Sequence, residues 1–413
     1  MTRGDRLRLT VERPAAGGRM IARHDGAVVF VSGAIPGEVV DVVVEKVQRG
    51  TVWASTVEVL ERSADRIDGG ADQDCGGSVF AHIAYDRQRQ LKSAIIEDAM
   101  RRIGRITLDA AVDVTPSPID GYRMRARLHM RDGRIGFFRE GTHNLCAAGP
   151  TRQLGDDAIA TLTALEQAMA GIPPIVSEIE LSENIDATAR ACHFELIPKS
   201  DPAPLVTLTQ VTGLVGATAA WGDQPRTMEL WGTPLVEDEI AGATLSRQAR
   251  SFFQANRFLI HQIVDHVLAA AGDGPLLDLY AGVGLFSVTA SAAGKGPVMA
   301  VEGDTVSSVD LKRNANGRDV TVQVNAVEGY LTGRPGRFAS VIVDPPRTGM
   351  SKEALTGAIA IRAPRLTYVS CDIATLARDA RVLLDAGYRI DSVRAFDMFP
   401  NTAHIETVIA FVR

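Results

Sequence analysis

The chain has 413 residues, more than one compact core usually holds, so its length predicts two or three domains. Hydrophobic residues make up 46% and charged residues 23%, and no apolar run approaches the roughly 18 residues of a membrane span, so the composition predicts a soluble globular protein. The net charge of −6 argues against a protein that coats nucleic acid through an overall basic surface, although a local basic patch is compatible with it.

The compartment is indicated by the first residues and by the cysteines. The start, MTRGDRLRLT, lacks the apolar core of a secretory signal, so we expect a cytoplasmic protein. We also expect no membrane association, and the sequence indicates no obligate protein partner. The four cysteines, Cys75, Cys146, Cys192 and Cys371, are widely scattered. Their spacing predicts neither a disulfide framework nor a repeated metal-ligand pattern.

Residues 1–62 have the pattern of a small β-barrel. Strand-like runs such as GAVVFVSG, EVVDVVVEKV and TVWASTVEVL follow one another between residues 8 and 60, separated by Gly and Pro turn signals. Such closely spaced short strands favour a barrel, which on pattern alone is equally compatible with a module that binds no ligand. The stretch GGRMIARHDGAVVFVSGAIPGEVV resembles the TRAM domain, an OB-like RNA-binding module, and the resemblance implies RNA as a partner.

Residues 63–240 read as a central β-rich domain that contains one long amphipathic helix near 85–105. After the helix, GYRMRARLHMRDGRIGFFRE alternates, so Arg123, Arg125 and Arg127 share one strand face. Spaced cations on a rigid face predict contacts with RNA phosphates. The alternative is a solvated face whose arginines pair with neighbouring acids.

Residues 241–413 change to an alternation of strands and helices. The apolar strands LLDLY, VMAVE, ASVIVD, RLTYVS and ETVIAFV are separated by helical segments such as FLIHQIVDHVLAAA. This alternation predicts an α/β fold in which a parallel sheet is wrapped by helices, a Rossmann-like catalytic domain.

Two strand ends in this domain predict a nucleoside cofactor. Asp278 ends one strand and is followed by the glycine turn Ala281–Gly284, which lets a ligand approach the backbone at the sheet edge. Glu302 ends the next strand, where an acid can accept two ribose hydroxyls. The turn alone would also fit a nicotinamide cofactor, or no ligand at all, but the combination favours S-adenosylmethionine.

Three further residues lie at the same predicted edge. Asp344 precedes a stiff Pro-Pro loop that points it into the cleft. Cys371 follows a strand and precedes a helix, whose terminal amides would favour the reactive thiolate. Glu406 begins the last apolar strand, where an unpaired acid is costly unless it is functional. Taken singly, each residue is also compatible with a structural role.

Five motifs together resemble the uracil-5 methyltransferases of tRNA and ribosomal RNA, which are class I enzymes. They are SFFQANR, LLDLYAGVGLFS, VIVDPPRTGM, YVSCDIATLARD and DMFPNTAHIET, in the family's order across residues 245–413. The resemblance implies that Cys371 is the nucleophile and Glu406 the general base. It implies contacts to S-adenosylmethionine from six residues: Gln254, Tyr280, Gly282, Glu302, Asn325 and Asp344.

The implied reaction forms 5-methyluridine through a covalent adduct between Cys371 and uracil. The TRAM-like start favours ribosomal RNA, most of all 23S, with tRNA as the alternative, and the motifs do not define the uridine or the oligomeric state. Two further readings stay open: an inactive RNA-binding protein, and a methyltransferase that acts on a small molecule or on protein glutamine. A covalent RNA adduct would separate them.

Two departures from the family pattern bear on these expectations. Many relatives hold an iron-sulfur cluster on four cysteines, but Gly69 and Ser78 stand where two of these are expected, and only Cys75 and Cys146 match the others. We therefore predict that the cluster is absent and that the protein holds no metal. The second departure is Asp372-Ile373 after the nucleophile, in place of Asn-Pro, and it bears on how the substrate is positioned.

Overall fold

The structure, a computed structural model, describes residues 1–69, 75–222, 227–333 and 336–413. These residues form a closed barrel, a seven-stranded sheet, a two-stranded hairpin and an eight-stranded sheet. None of the helices in these ranges is long and apolar enough to cross a membrane.

The amino-terminal strands close into a barrel in the order β1-β2-β3-β5-β4. They are β1 (Arg6–Pro14), β2 (Met20–His24), β3 (Ala27–Ser32), β4 (Val39–Gln48) and β5 (Thr51–Glu61). Side chains of β4 point alternately into and out of the barrel, because Val40, Val42 and Val44 are buried while Asp41 and Val43 between them are not. The predicted small barrel is confirmed.

Helix α1 (Tyr85–Arg102) and the short strand β6 (Val114–Thr115) follow the barrel, and a seven-stranded sheet comes next. Its strands are β7 (Arg125–Arg131), β8 (Arg134–Phe138), β9 (Leu145–Ala147), β10 (Val176–Glu183), β11 (Arg190–Leu196), β12 (Gly216–Trp221) and β13 (Met228–Gly232). Their order across the sheet is β13-β12-β11-β10-β7-β8-β9. Helix α2 (Asp156–Met169) and 3₁₀ helices at Gly149–Thr151 and Ala203–Gln210 accompany the sheet, giving the β-rich character that the sequence predicts.

A hairpin of β14 (Leu235–Ile240) and β15 (Ala243–Gln248) leads into the carboxyl-terminal sheet, whose order is β18-β17-β16-β19-β20-β22-β21-β6. Its later strands are β16 (Leu276–Leu279), β17 (Val298–Glu302), β18 (Val320–Val324), β19 (Ser340–Val343), β20 (Arg365–Ser370), β21 (Arg389–Phe396) and β22 (Glu406–Val412). The helices are α3 (Ile260–Ala270), α4 (Leu285–Ala292), α5 (Ser307–Ala315), α6 (Val327–Thr332), α7 (Lys352–Ile361) and α8 (Ile373–Asp385). The predicted Rossmann-like domain is confirmed, except that β22 runs antiparallel to both neighbours, so the sheet is mixed.

The long helix α1 packs differently from our expectation. We assigned it to the central domain, but Ile95 and Met100 are buried in one core with Leu376 and Leu383 of α8. Strand β6 likewise extends the carboxyl-terminal sheet by pairing with β21. The apolar stripe of α1 therefore faces the carboxyl-terminal domain from Ile95 onward, whereas Leu91 packs in the barrel core. Helical spacing alone could not identify these partners.

Candidate active site

A cavity of about 880 Å³ opens at the carboxyl ends of β16, β17, β19 and β20, facing the start of β7 in the central sheet. Ten of the eleven residues predicted as site residues line it. These are Cys371, Glu406, Gln254, Tyr280, Gly282, Glu302, Asp344, Arg123, Arg125 and Arg127. The parallel strands bring their ends to one edge of the sheet, which is where ligands of such folds bind.

The turn between β16 and α4 shapes one wall of this cavity. Tyr280 adopts a φ of 64°, a left-handed conformation that costs a residue with a side chain roughly 1–2 kcal/mol. Gly282, with a φ of 57°, has open space where a Cβ would stand, so the backbone is exposed to a ligand. Gly284 is needed for packing, because a Cβ there would lie 2.6 Å from Val288 and 2.9 Å from Leu311.

Glu302 ties this turn to the next strand end. Its carboxylate accepts hydrogen bonds from the amides of Gly282, at 2.6 Å, and Asp304, at 2.5 Å. Burial raises the pKa of this carboxyl group and the amide bonds lower it. Each carboxylate oxygen can accept a second hydrogen bond, so Glu302 remains able to bind a pair of hydroxyls.

Asn325 lies apart from the other predicted residues. It follows β18, its amide donates to the carbonyl of Glu302 at 3.0 Å, and its exposed side chain lies next to Gly329. It is not among the residues that line the large cavity. Its contact with the cofactor stays a prediction.

Asp344 enters the cavity from the end of β19, ahead of the Pro-Pro loop. Gln254 donates to its Oδ2 at 3.4 Å. Burial raises the pKa of Asp344 to about 7, and the Gln254 hydrogen bond opposes that rise. The carboxyl group is therefore poised to exchange a proton near neutral pH.

Cys371 and Glu406 face each other across two neighbouring strands. Strands β20 and β22 are antiparallel, and their last paired residues are Ser370 and Thr407. Continuing that register by one residue places Cys371 opposite Glu406, at the separation of cross-strand neighbours. The sheet itself thus brings together the predicted nucleophile and the predicted base.

The surroundings of Cys371 oppose the predicted thiolate. Burial and the nearby Glu406 raise the pKa of the thiol to about 12, against a smaller opposite effect of Arg347. The helix terminus that was expected to favour the thiolate is already occupied, because Asp372 caps α8 by accepting from the amide of Thr375 at 2.9 Å. The departure Asp372-Ile373 therefore has a local role as a helix cap.

Burial also raises the pKa of Glu406 well above its usual value, helped by Asp344 and opposed by Arg347. Two carboxyl groups and a thiol thus share a poorly solvated pocket in which their charged forms are disfavoured. Arg347 is the cation that favours the charged forms of both Cys371 and Glu406.

Sequence reasoning missed several residues of this cavity, including Arg347, Arg250, Phe252 and Phe399. Arg347 could have been found, because it directly follows the Pro-Pro pair in the quoted motif VIVDPPRTGM. Phe252 also lies in a quoted motif, SFFQANR, and its 58% exposure next to the cavity is unusual for a phenylalanine.

The three predicted RNA-binding arginines line the cavity opposite the sheet edge. Arg125 and Arg127 both donate to the carboxylate of Glu180, at 2.5 and 2.8 Å. Arg123 donates to Gln153 at 2.6 Å and stacks between the rings of Phe137 and Phe399. The pairing with an acid matches the alternative that we left open, and contact with RNA stays a prediction.

Cys75 and Cys146 are joined by a disulfide bond. The scattered spacing predicted no disulfide framework and did not indicate this single bond, whose residues lie 71 positions apart and meet where β9 passes the segment before α1. Residues 70–74 of the corresponding stretch lie outside the described residues. Within the described ranges, no cluster of three or more His, Cys, Asp or Glu residues could hold a metal ion, and the absence of an iron-sulfur cluster stays a prediction.

Comparisons with known proteins show similarity at both ends of the chain and along its length. Residues 1–57 match the TRAM domain family, and residues 334–413 match the tRNA (Uracil-5-)-methyltransferase family. An uncharacterized RNA methyltransferase of Halalkalibacterium halodurans is 29% identical, over 99% of this chain and 97% of its own. The 23S rRNA (uracil(1939)-C(5))-methyltransferase of Pseudomonas putida is also 29% identical, over 99% of this chain and 94% of its own.

Among solved structures, the tRNA (uracil-54, C5)-methyltransferase of Pyrococcus abyssi, in complex with S-adenosyl-L-homocysteine, has the same fold. Its TM-score is 0.79 at 23% sequence identity, and the match covers 98% of this chain and 99% of that one. The barrel, the Rossmann-like sheet and the family matches at both ends agree with one another. The chain is thus similar to the TRAM domain at its start, to the tRNA (Uracil-5-)-methyltransferase family at its end, and to RNA methyltransferases over nearly its whole length.

Proposed function

We propose that the protein forms 5-methyluridine in ribosomal RNA, with 23S rRNA as the first candidate. The reaction runs through a covalent adduct between Cys371 and the target uracil. The observation that carries this proposal is that Cys371 and Glu406 both line the large cavity, each next to the paired strand residues Ser370 and Thr407. A thiol and a carboxyl group on opposite sides of one small space are the two groups that this reaction needs.

The residues present fit S-adenosylmethionine as the cofactor. The exposed backbone at Gly282 leaves room for a ligand, and Glu302 next to it offers carboxylate oxygens to ribose hydroxyls. Tyr280, Gln254 and Asp344 line the same space and complete the proposed cofactor-binding set. When bound, the cofactor supplies an electrophilic methyl group.

Cys371 starts the reaction in this proposal. Carbon 5 of uracil is a weak nucleophile, so the Cys371 thiolate adds to carbon 6, and the electron pair of the 5,6 double bond moves towards carbon 5 and oxygen 4. Since burial disfavours the thiolate, its formation needs the positive charge of Arg347. We propose that Arg347 stabilises the thiolate until the carbon–sulfur bond forms.

Glu406 completes the reaction. Once carbon 5 carries the new methyl group, its hydrogen must leave as a proton, and the Glu406 carboxylate accepts that proton. The electron pair of the broken C–H bond restores the 5,6 double bond and expels Cys371 as a thiolate. The raised pKa of Glu406 makes it a stronger base than an exposed carboxylate would be.

The proposed class of RNA substrate is based on the substrates for which the relatives are named. The Pseudomonas putida and Pseudomonas entomophila relatives are named for 23S rRNA, and both matches span nearly the whole chain, which supports ribosomal RNA. The Pyrococcus abyssi structure, named for tRNA, keeps tRNA as the second candidate. We expect the protein to act in the cytoplasm.

The test is methyl transfer from radiolabelled S-adenosylmethionine to unmodified 23S rRNA and, separately, to unmodified tRNA, followed by nucleoside identification. The proposal predicts label in 5-methyluridine from 23S rRNA with the intact protein, and none with Cys371→Ala. Label in tRNA alone would mean that tRNA, and not 23S rRNA, is the substrate. Label in another nucleoside, or undiminished label with Cys371→Ala, would refute the proposed chemistry.

A further inference from the structure

Residues 75–80, which we call the disulfide segment, are attached to the central sheet at their first residue. Cys75 and Cys146 are both buried, and Cys75 also forms an isolated bridge with Arg139. The next amide, of Gly76, donates to the carbonyl of Phe138 at 3.3 Å. The disulfide is therefore the covalent part of an attachment that backbone contacts at the end of β8 complete.

The disulfide segment packs against Gln153. A Cβ on Gly77 would lie 1.7 Å from Nε2 of Gln153, so the backbone at Gly77 contacts the amide group directly and leaves no room for a side chain. Oε1 of Gln153 accepts hydrogen bonds from Arg123, at 2.6 Å, and from the hydroxyl of Tyr122, at 3.2 Å. The position of Gln153, and with it that of Arg123, therefore depends on the disulfide segment.

Arg123 connects Gln153 to the catalytic cavity. It lines the large cavity together with Cys371 and Glu406. Its guanidinium group lies 5.7 Å from the centroid of the Phe399 ring, in the loop that precedes Glu406. A shift of Gln153 would therefore move a cation inside the cavity in which the proposed reaction takes place.

The disulfide segment also contacts the loop that precedes Glu406. The amide of Phe80 donates to the carbonyl of Asn401 at 2.8 Å. Gly76 lines a second cavity, of about 200 Å³, together with Cys371. Displacement of the segment would therefore widen the space next to the thiol of Cys371.

We infer that the redox state of Cys75 and Cys146 controls methyl transfer at Cys371, an inference that rests on the proposed function. The bonded form holds the disulfide segment against Gln153 and is the active form. A dithiol reduces the bond by giving it two electrons and two protons, so that two thiols form while the dithiol becomes a disulfide, and a small disulfide reverses the exchange. Disulfides of cytosolic proteins are usually transient and catalytic or redox-sensing, which fits the expected compartment.

Burial limits how fast the bond responds. Exchange requires contact between an attacking thiolate and a sulfur, and Cys75 and Cys146 are only 0% and 6% exposed. The disulfide segment must therefore open locally before the bond is reduced. Once the bond is broken, noncovalent contacts must hold Gly77 against Gln153.

The first test follows thiols and activity over one time course after dithiothreitol is added to the intact protein. Peptide mass spectrometry detects the alkylated thiols of Cys75 and Cys146, and methyl transfer to unmodified 23S rRNA gives the activity. We expect the rate to fall roughly 10- to 100-fold as the thiols appear, the loss expected when a positioned group moves by up to about 1 Å. Oxidised glutathione should restore the rate, and Cys192→Ala, which alters another buried cysteine, should respond like the intact protein.

Two variants separate the bond from the contact that it maintains. Cys75→Ala/Cys146→Ala should have the low rate with or without dithiothreitol. Gly77→Ala displaces Gln153 while the bond stays intact, so it should also lower the rate, whereas Gly171→Ala, which has open space for a Cβ, should not. Binding of S-adenosylhomocysteine should stay unchanged in all of these variants, which shows that they are folded.

A measurement without RNA keeps this inference apart from the proposed function. Alkylation of Cys371 by iodoacetamide should be faster after reduction, because the wall of the second cavity is then loosened. Faster alkylation with no methylation of any RNA in either state would refute the proposed function and leave the redox control of Cys371 standing. The inference is overturned if dithiothreitol leaves the bond intact in the folded protein. It is also overturned if methyl transfer or, where no RNA is methylated, alkylation of Cys371 has the same rate in both states.

Discussion

Two charged side chains act on the thiol of Cys371 in opposite directions. Burial has the largest effect and raises the pKa of the thiol, Glu406 raises it further, and Arg347 lowers it. The thiolate fraction at a given pH changes about tenfold for each pKa unit. Substitutions of the two neighbours should therefore change the reactivity of Cys371 with opposite sign.

The first prediction concerns alkylation of Cys371 by iodoacetamide at pH 8, followed by peptide mass spectrometry. Glu406→Gln should increase the rate, because it removes a negative charge, and Arg347→Met should decrease it. The readout is specific, because Cys192 is fully buried while Cys75 and Cys146 are joined in a disulfide.

Arg347→Lys is the matched control for this prediction, since it keeps the positive charge and should slow alkylation less than Arg347→Met does. A change of the same sign in Glu406→Gln and Arg347→Met would mean that access to the thiol, and not its charge environment, controls the rate.

At the residue scale, the sequence predicted which side chains meet but not their proton affinities. Cys371 and Glu406 could be placed because each lies at a strand end and in a recognisable motif. The sequence did not show how strongly burial disfavours the thiolate of Cys371, because depth of burial depends on the whole surrounding fold. Asn325 was expected in the site from the family resemblance; it does not line the large cavity, and its contact with the cofactor stays a prediction.

At the scale of elements, helix α1 holds the loop that precedes Glu406. Lys92 and Asp397 are both fully buried, and the Lys92 ammonium donates to the Asp397 carboxylate at 2.5 Å and to the carbonyl of Phe399 at 3.0 Å. Gln88, one turn earlier, exchanges hydrogen bonds with Asn401 in the same loop. The position of Glu406 thus depends on a helix more than 300 residues earlier in the chain.

The second prediction is that Lys92→Met destabilises the protein strongly, by about 3–5 kcal/mol, because it leaves the Asp397 carboxylate buried without its cation. Urea denaturation followed by circular dichroism measures this. The double variant Lys92→Met/Asp397→Leu should recover part of the loss, since both charges are then gone. An equal loss in the single and double variants would show that the ion pair is not what holds the loop.

The sequence predicted α1 but not its partner. Its apolar positions follow helical spacing, which identifies an amphipathic helix whatever surface it covers. Its packing on α8, and the addition of β6 to the sheet, depend on contacts between residues far apart in the chain. Local sequence patterns do not predict such contacts.

At the scale of the whole molecule, the disulfide closes a long loop that includes α1. Cys75 lies in the segment before α1 and Cys146 in β9 of the central sheet, with a sequence separation of 71 residues. The chain-entropy model gives about 4 kcal/mol for a loop of that length. The bond therefore fixes the position of the central sheet relative to the segment between the barrel and α1.

The third prediction is a count of thiols. Denatured protein without reductant should react at two of its four cysteines, Cys192 and Cys371, and at all four after reduction. Purified protein should contain no stoichiometric iron or sulfide. Four reactive thiols together with bound iron would instead indicate a cluster and would refute both the disulfide and the predicted absence of the cluster.

The architecture was more predictable than the arrangement of its parts. Period-two alternation over residues 6–61 and strand-helix alternation after residue 241 indicate the barrel and the Rossmann-like sheet. The pairing of Cys75 with Cys146 was not predictable, because scattered cysteines carry no information on their spatial separation. Nor did the sequence indicate that the turn between β1 and β2 lines a cavity together with Cys371.

The most direct test of the central claim is to look for the covalent adduct. Glu406→Gln, incubated with S-adenosylmethionine and unmodified 23S rRNA, should accumulate a protein–RNA complex that survives denaturing electrophoresis, because the carbon 5 proton cannot leave and Cys371 stays attached. The intact protein should show little of this complex, and Cys371→Ala none. A denaturation-resistant complex with Cys371→Ala, or methyl transfer by that variant at the rate of the intact protein, would contradict the account.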